Sequence, residues 1–275
     1  DSSFAGNKTP QGNSDSNGIG DFYYAPPTGF LALCTQNLPE PTVIPSEHFN
    51  TVLYSGNSGT QAITGVGFQS DWTWIKARNA AFDNKLFDSI RGATKRLETN
   101  TTSAEVTEVD QLQSFDVDGF TLGSANPVNR TGDTLVSWNW KANGTGVSNT
   151  DGTITSTVSA NVDAGFSIVS WTGDVTSATI GHGLSVTPEL IILKNASDAE
   201  NWEVMTDNTN PTNSMVLNLT AADRLSNYFS STSATTFGVG PYNRSNGSGD
   251  SMIAYAFHSV DGYSKVGSYT GNGST

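Results

Sequence analysis

The chain has 275 residues, with 26 acidic and 13 basic side chains and a net charge of −13. This balance argues against a nucleic-acid role, because neutralising phosphates takes clustered Lys and Arg, and acidic neighbours closely follow the densest basic group, Arg91, Lys95 and Arg96. Hydrophobic content of 35% with only 14% charged residues points away from charge-driven disorder and towards short strands joined by Gly-, Asn- and Asp-rich turns.

Cys34 is the only cysteine, so no intrachain disulfide forms and stability must come from packing or assembly. No apolar run approaches the length of a membrane span, and no membrane insertion is expected. The chain starts without Met, at Asp1-Ser2-Ser3-Phe4, and ends inside an apparent repeat. It reads as an excerpt of a longer polypeptide.

Residues 1–33 open polar and Gly-rich and close on Phe22 to Phe30, where Pro26-Pro27 bars a helix and suits an extended edge. They read as the end of a preceding β domain. Residues 34–48, with Pro39, Pro41 and Pro45, read as a stiff linker. A first module follows at 49–142, with strands expected at Thr51–Tyr54, Ala62–Val66, Trp72–Ala77 and Thr134–Trp140. Trp72 and Trp74 share one face, as do Val136, Trp138 and Trp140, so each strand should turn a bulky face to a core and a polar face outward. Phe87, Ile90 and Thr94 fall on one side of a short helix expected over Leu86–Leu97. Residues 143–160, rich in Gly, Ser, Thr and Asn, read as a connector. A second module at 161–260 has strands expected at Ser167–Trp171, Leu190–Lys194, Met215–Leu219 and Met252–His258. Residues 261–275 read as the start of a third copy or a tail.

The modules repeat one another. Phe120, Gly123, Gly132, Trp138 and Trp140 recur 117 positions later as Phe237, Gly240, Gly249, Tyr255 and Phe257, and Phe49 to Gly56 recurs as Phe166 to Gly173. Fixed-period similarity means tandem modules. The expected fold is all-β, a tandem of antiparallel β-sandwich modules.

Chemistry-bearing residues are sparse. His48, His182 and His258 lie far apart without ligand-like spacing, which suits structural roles and argues against a zinc site. Asp116 and Asp118 open like a calcium loop but lack its remaining ligands; they are the only metal candidates, and no cofactor is expected. Asp88 and Arg91 are spaced to pair structurally. Glu98, Glu105, Glu108 and Asp110 offer the paired carboxylates that glycoside cleavage needs, but in a polar stretch that reads as solvated surface. The six tryptophans are of a type that stacks on sugars, yet most lie on alternating strands, where core packing is the default. Trp202, beside Glu200 and Asn201, is the best candidate for an exposed aromatic, and these three form the expected binding group.

Longer motifs carry a resemblance. Tyr23 to Pro41, Phe87-Asp88-Ser89-Ile90-Arg91-Gly92 to Leu97, Phe115 to Phe120, Val136 to Ala142 and Gly262 to Gly273 resemble stretches of large virion proteins of marine tailed bacteriophages, cyanophages among them. There they belong to a repeated domain of uncharacterised function, often preceded by a SPRY-type, concanavalin-like domain. The resemblance implies a non-enzymatic virion structural protein at the particle surface, part of a tail fibre that takes part in host attachment. It implies other virion proteins as partners, a homotrimer, and a host-surface glycan as a further partner. A capsid decoration or head-fibre protein is the alternative reading, and a polysaccharide depolymerase ranks third. The second module departs from the pattern, with Ser226-Asn227-Tyr228-Phe229 where Phe-Asp-x-x-Arg-Gly is expected, so a role tied to that motif is not shared by both copies.

Overall fold

The structure, a computed structural model, describes residues 9–38, 43–206 and 212–273. Two compact units divide the chain, Asp1–Thr42 and Val43–Thr275. In the first, residues 9–38 carry no strand, only an antiparallel bridge between Asn13 and Phe22. Its hub is the Asp15 carboxylate, which accepts from the backbone N–H groups of Asn17, Ile19 and Ala32 and from Asn37 at 2.7–2.9 Å. Of the expected linker, Pro39 and Pro41 lie outside the described residues, and Pro45 opens a 3₁₀ turn over Pro45–Glu47.

In the second unit, the first repeat contributes β1 (Phe49–Ser55), β2 (Gln61–Ile63), β3 (Trp72–Ala77), β4 (Lys85–Asp88), β5 (Lys95–Glu98), β6 (Val106–Thr107), β7 (Leu112–Asp116), β8 (Gly119–Leu122), a single helical turn α1 (Asn126–Asn129) and β9 (Thr134–Trp140). β10 (Val147–Asn149) and β11 (Ser156–Asn161) follow. The second repeat then gives β12 (Phe166–Thr172), β13 (Ala178–Gly181), β14 (Leu190–Asn195), β15 (Glu203–Thr206), β16 (Asn213–Val216), β17 (Arg224–Leu225), β18 (Phe229–Thr232), β19 (Thr236–Val239), α2 (Asn243–Asn246) and β20 (Ser251–Phe257). Every element of the first copy has its counterpart in the second.

Each copy is a sandwich. A large antiparallel sheet, ordered β1-β9-β3-β4-β5-β6, faces the three-stranded sheet β2-β8-β7. The second copy repeats this as β12-β20-β14-β15-β16-β17 against β13-β19-β18. Ile63, Leu112, Phe120 and Leu122 meet Ile75, Phe87 and Leu135 inside the first sandwich. Ile180, Phe229 and Phe237 meet Val169, Ile191, Leu193, Met205 and Met252 inside the second. The repeated glycines are needed here. A Cβ on Gly123 would collide with the backbone of Asp110, and one on Gly240 with the carbonyl of Asn227, where two loops cross.

A third core joins the copies. Trp72, Leu86, Leu97 and Ala142 of the first pack against Phe166, Ile168, Ile192, Val204, Ile253 and Tyr255 of the second. The two large sheets therefore lie face to face between the two small ones, giving four β layers. This corrects the expectation of a polar outer face: Thr73, Ser137 and Asn139 are fully buried, because the large sheet is covered on both sides.

Two further expectations are corrected. Leu86–Leu97 is a hairpin of β4 and β5, not a helix; Gly92 sits at φ 102°, and Asp88 accepts the Arg91 N–H at 2.9 Å to close the turn. The connector 143–160 contains β10 and β11, which extend the second large sheet, with Val158 and Ser159 buried. Of the segment read as the start of a third copy or a tail, the described residues 261–273 carry no strand, and a bridge between Val260 and Ser264 holds their start.

Candidate functional site

The Phe-Asp-x-x-Arg-Gly motif lies at the junction of the two copies. Asp88 is fully buried at the end of β4. Its carboxylate accepts the Arg91 Nε–H at 2.6 Å and the phenol O–H of Tyr255, from β20, at 2.7 Å. Arg91 donates onward to Glu105 at 3.2 Å and to the Lys95 carbonyl at 3.1 Å. Burial works against the Arg91 charge, but Asp88, Tyr255 and Glu105 together outweigh it and its pKa is raised; burial, helped by Asp88, pushes the Tyr255 phenol well up. The motif is thus spent on an ionic anchor for the second copy. In the second copy Thr206 ends β15 where Asp88 ends β4, so the motif's place falls at Thr206 and not at the expected stretch Ser226 to Phe229.

The loop from Glu98 to Glu105 completes the junction. The Trp202 indole N–H donates to the Glu98 carbonyl at 2.9 Å, and the Glu105 N–H donates to the Ala196 carbonyl at 2.7 Å. Lys194, fully buried, donates to the carbonyls of Asn195, Asp198 and Thr102 at 2.6, 2.8 and 3.4 Å. Burial lowers its pKa to about 8, with Glu200 and Asp198 opposing the shift.

The expected binding group is not brought together as a surface site. Trp202 is 0% exposed, and its ring stacks near Tyr255 with centroids 6.5 Å apart. Its polar neighbours suggest exposure, but Trp202 alternates with Val204 on the inner face of the strand. Glu200 pairs with Arg244 at 2.9 Å, and Asn201 accepts from Asn218 at 2.9 Å. Nor do the calcium-like aspartates converge. Asp116 accepts the hydroxyls of Ser114 and Thr121 at 2.8 and 2.6 Å. Asp118 accepts the N–H groups of Gly67 and Gly65 at 2.6 and 3.0 Å, which lowers its pKa. Among the described residues no group of three His, Cys, Asp or Glu is placed to hold a metal.

The expected solvated carboxylates are mostly paired. Glu98, 8% exposed, pairs with Lys85 and with Arg96; Glu105 pairs with Arg91 and Lys95, and Glu108 with Arg96. His182 is fully buried, its Nδ1 accepting the Leu184 N–H at 3.2 Å, which leaves Nε2 to donate to the Ser233 carbonyl at 3.2 Å. Burial lowers its pKa.

One open hollow is aromatic. Phe49, Trp74, Trp138 and Trp140, all half-buried, line a hollow of about 370 Å³ with Asn84 at its side. Trp74 and Trp138 are partners in the β3–β9 register, with ring centroids 6.1 Å apart, and Phe49 and Trp140 face each other across β1 and β9. The Trp74 indole N–H is buried without an acceptor among the described residues.

Residues 44–275 match a domain of unknown function, DUF7483. The chain belongs to the DUF7483 family. No curated protein and no solved structure matches it. The DUF7483 match begins one residue inside the compact unit Val43–Thr275 and spans both copies, so the family domain corresponds to the joined pair.

Proposed function

We propose that this chain is a non-enzymatic structural segment of a bacteriophage virion, part of a tail fibre that takes part in host-surface attachment. One observation carries the reading: the buried Asp88–Arg91–Tyr255 anchor commits the chain's most distinctive charged motif to joining two copies into one rigid body. Rigid tandem modules build length and surface, the properties an appendage needs. The net charge of −13 suits a surface exposed to bulk solvent. Residues 1–33 then read as the end of a preceding SPRY-like domain, and other virion proteins and two further copies of the chain as its partners. Against a depolymerase, the carboxylates Glu98, Glu105 and Glu108 are engaged by Lys or Arg rather than left to flank a sugar bond.

The test is location. Gold-labelled antibody against residues 43–275 should decorate the tail fibres of the particle in electron micrographs. Labelling confined to the capsid would replace the tail-fibre reading with a head-fibre or decoration protein. Release of reducing ends from host capsular polysaccharide would overturn the non-enzymatic one.

A further inference from the structure

The aromatic hollow lies where the two copies differ, above all at Asn84, whose counterpart is Trp202. Trp138 corresponds to Tyr255: Trp138 pairs with Trp74 in the first sheet as Tyr255 pairs with Ile192 in the second. Asn84 immediately precedes β4 as Trp202 immediately precedes β15. In the second copy the Trp202 ring lies near Tyr255, its plane inclined by 22°, and is fully buried. In the first copy an asparagine stands there, and the hollow of about 370 Å³ opens beside Trp138. The fold thus keeps a ring-sized slot in each copy; the protein fills one and leaves the other open.

The geometry points to a pyranose ring of a neutral glycan as the occupant of the open slot. One face of a pyranose is a patch of C–H groups that stacks on an indole, while its hydroxyls project from the ring edge. Phe49, Trp74, Trp138 and Trp140 supply the apolar walls, and the hollow falls within the usual size of small-ligand sites. The Asn84 amide makes no hydrogen bond through its side chain among the described residues, so it offers both a donor and an acceptor to neighbouring hydroxyls. Polar groups flank it: Asn100 accepts the Asn84 N–H at 2.9 Å and donates to Asp83 at 2.8 Å. An apolar peptide side chain in the slot would leave the amide unsatisfied. An anionic sugar would approach a chain of net charge −13.

This assignment goes beyond the scaffold reading and fails separately from it, since a sugar-blind chain can still be a tail-fibre segment. Saturation-transfer NMR on the full chain tests it, with methyl α-glucopyranoside, methyl β-galactopyranoside, methyl α-mannopyranoside and cellobiose as probes. At least one should receive saturation at its ring protons. Asn84→Trp, which restores the side chain of the second copy, should fill the slot and abolish the transfer with the far-UV circular dichroism unchanged. Asn84→Ala, which removes the amide and leaves the walls, should weaken the transfer and guards against a folding failure of the larger variant. No transfer from any probe to the wild-type chain, or transfer that survives Asn84→Trp, overturns the proposal. Binding of tetramethylammonium in place of the sugars overturns it as well.

Discussion

Tyr255 of the second repeat donates its phenol O–H to Asp88 of the first across 167 positions of sequence, at 2.7 Å and fully buried. The same carboxylate holds Arg91, so one buried anion satisfies a donor from each copy. Removing either partner leaves a charge or a donor unpaired in a low-dielectric setting.

Asp88→Ala should therefore destabilise the chain by about 3–5 kcal/mol, because Arg91 stays buried without its main counter-charge. Tyr255→Phe removes only a hydrogen bond to a charged group and should cost about 1.5–3 kcal/mol. Urea unfolding followed by tryptophan fluorescence measures both. Equal, small losses would show that the anchor contributes nothing beyond packing.

The crossing loops make a second prediction. Gly123→Ala and Gly240→Ala each force a methyl group into a backbone, and overpacking of this kind costs about 1–3 kcal/mol. Gly132 and Gly249, also repeated, face open space but sit at φ 87° and 77°. Alanine there should destabilise through backbone strain alone. Thermal melts of the four variants check this, and a neutral Gly240→Ala would contradict the observed loop crossing.

Much of the fold is legible in the sequence. The repeat locates both copies, and the alternation of Trp72 with Trp74 and of Val136 with Trp138 marks β3 and β9. What stays hidden depends on long-range pairing. Phe87, Ile90 and Thr94 fit a helical face as well as a hairpin, and only pairing of Leu86 with Leu97 decides between them. β11 reads as a connector because Ser156, Thr157 and Ser159 are small and polar, yet Val158 and Ser159 are covered by the adjoining strands. Trp202 is misleading for the same reason: local polarity says exposed, while the partner that buries it is more than a hundred residues away. The open slot emerges only when Asn84 is compared with Trp202.

Acid should weaken the joined pair of copies. The buried neutral His182 has its pKa lowered in the folded state, so the unfolded chain binds more protons below its usual value. Its contribution is fully present above about pH 6.5 and is lost as the pH falls through the lowered folded value. The half-buried His48, lowered mainly by burial and also by Lys141, adds a shift of the same sign. The melting temperature should fall between about pH 7.5 and about pH 5.5, and less steeply in His182→Gln. Parallel slopes for the two proteins would rule out His182 as a source of the effect.

The two copies share a core through Trp72, Phe166 and Tyr255 and should therefore fold as one body. Differential scanning calorimetry of residues 43–275 tests this most directly. A single transition is predicted, with calorimetric and van't Hoff enthalpies equal, and Asp88→Ala should lower it as a whole. Two resolved transitions, of which Asp88→Ala shifts only one, would contradict the shared core.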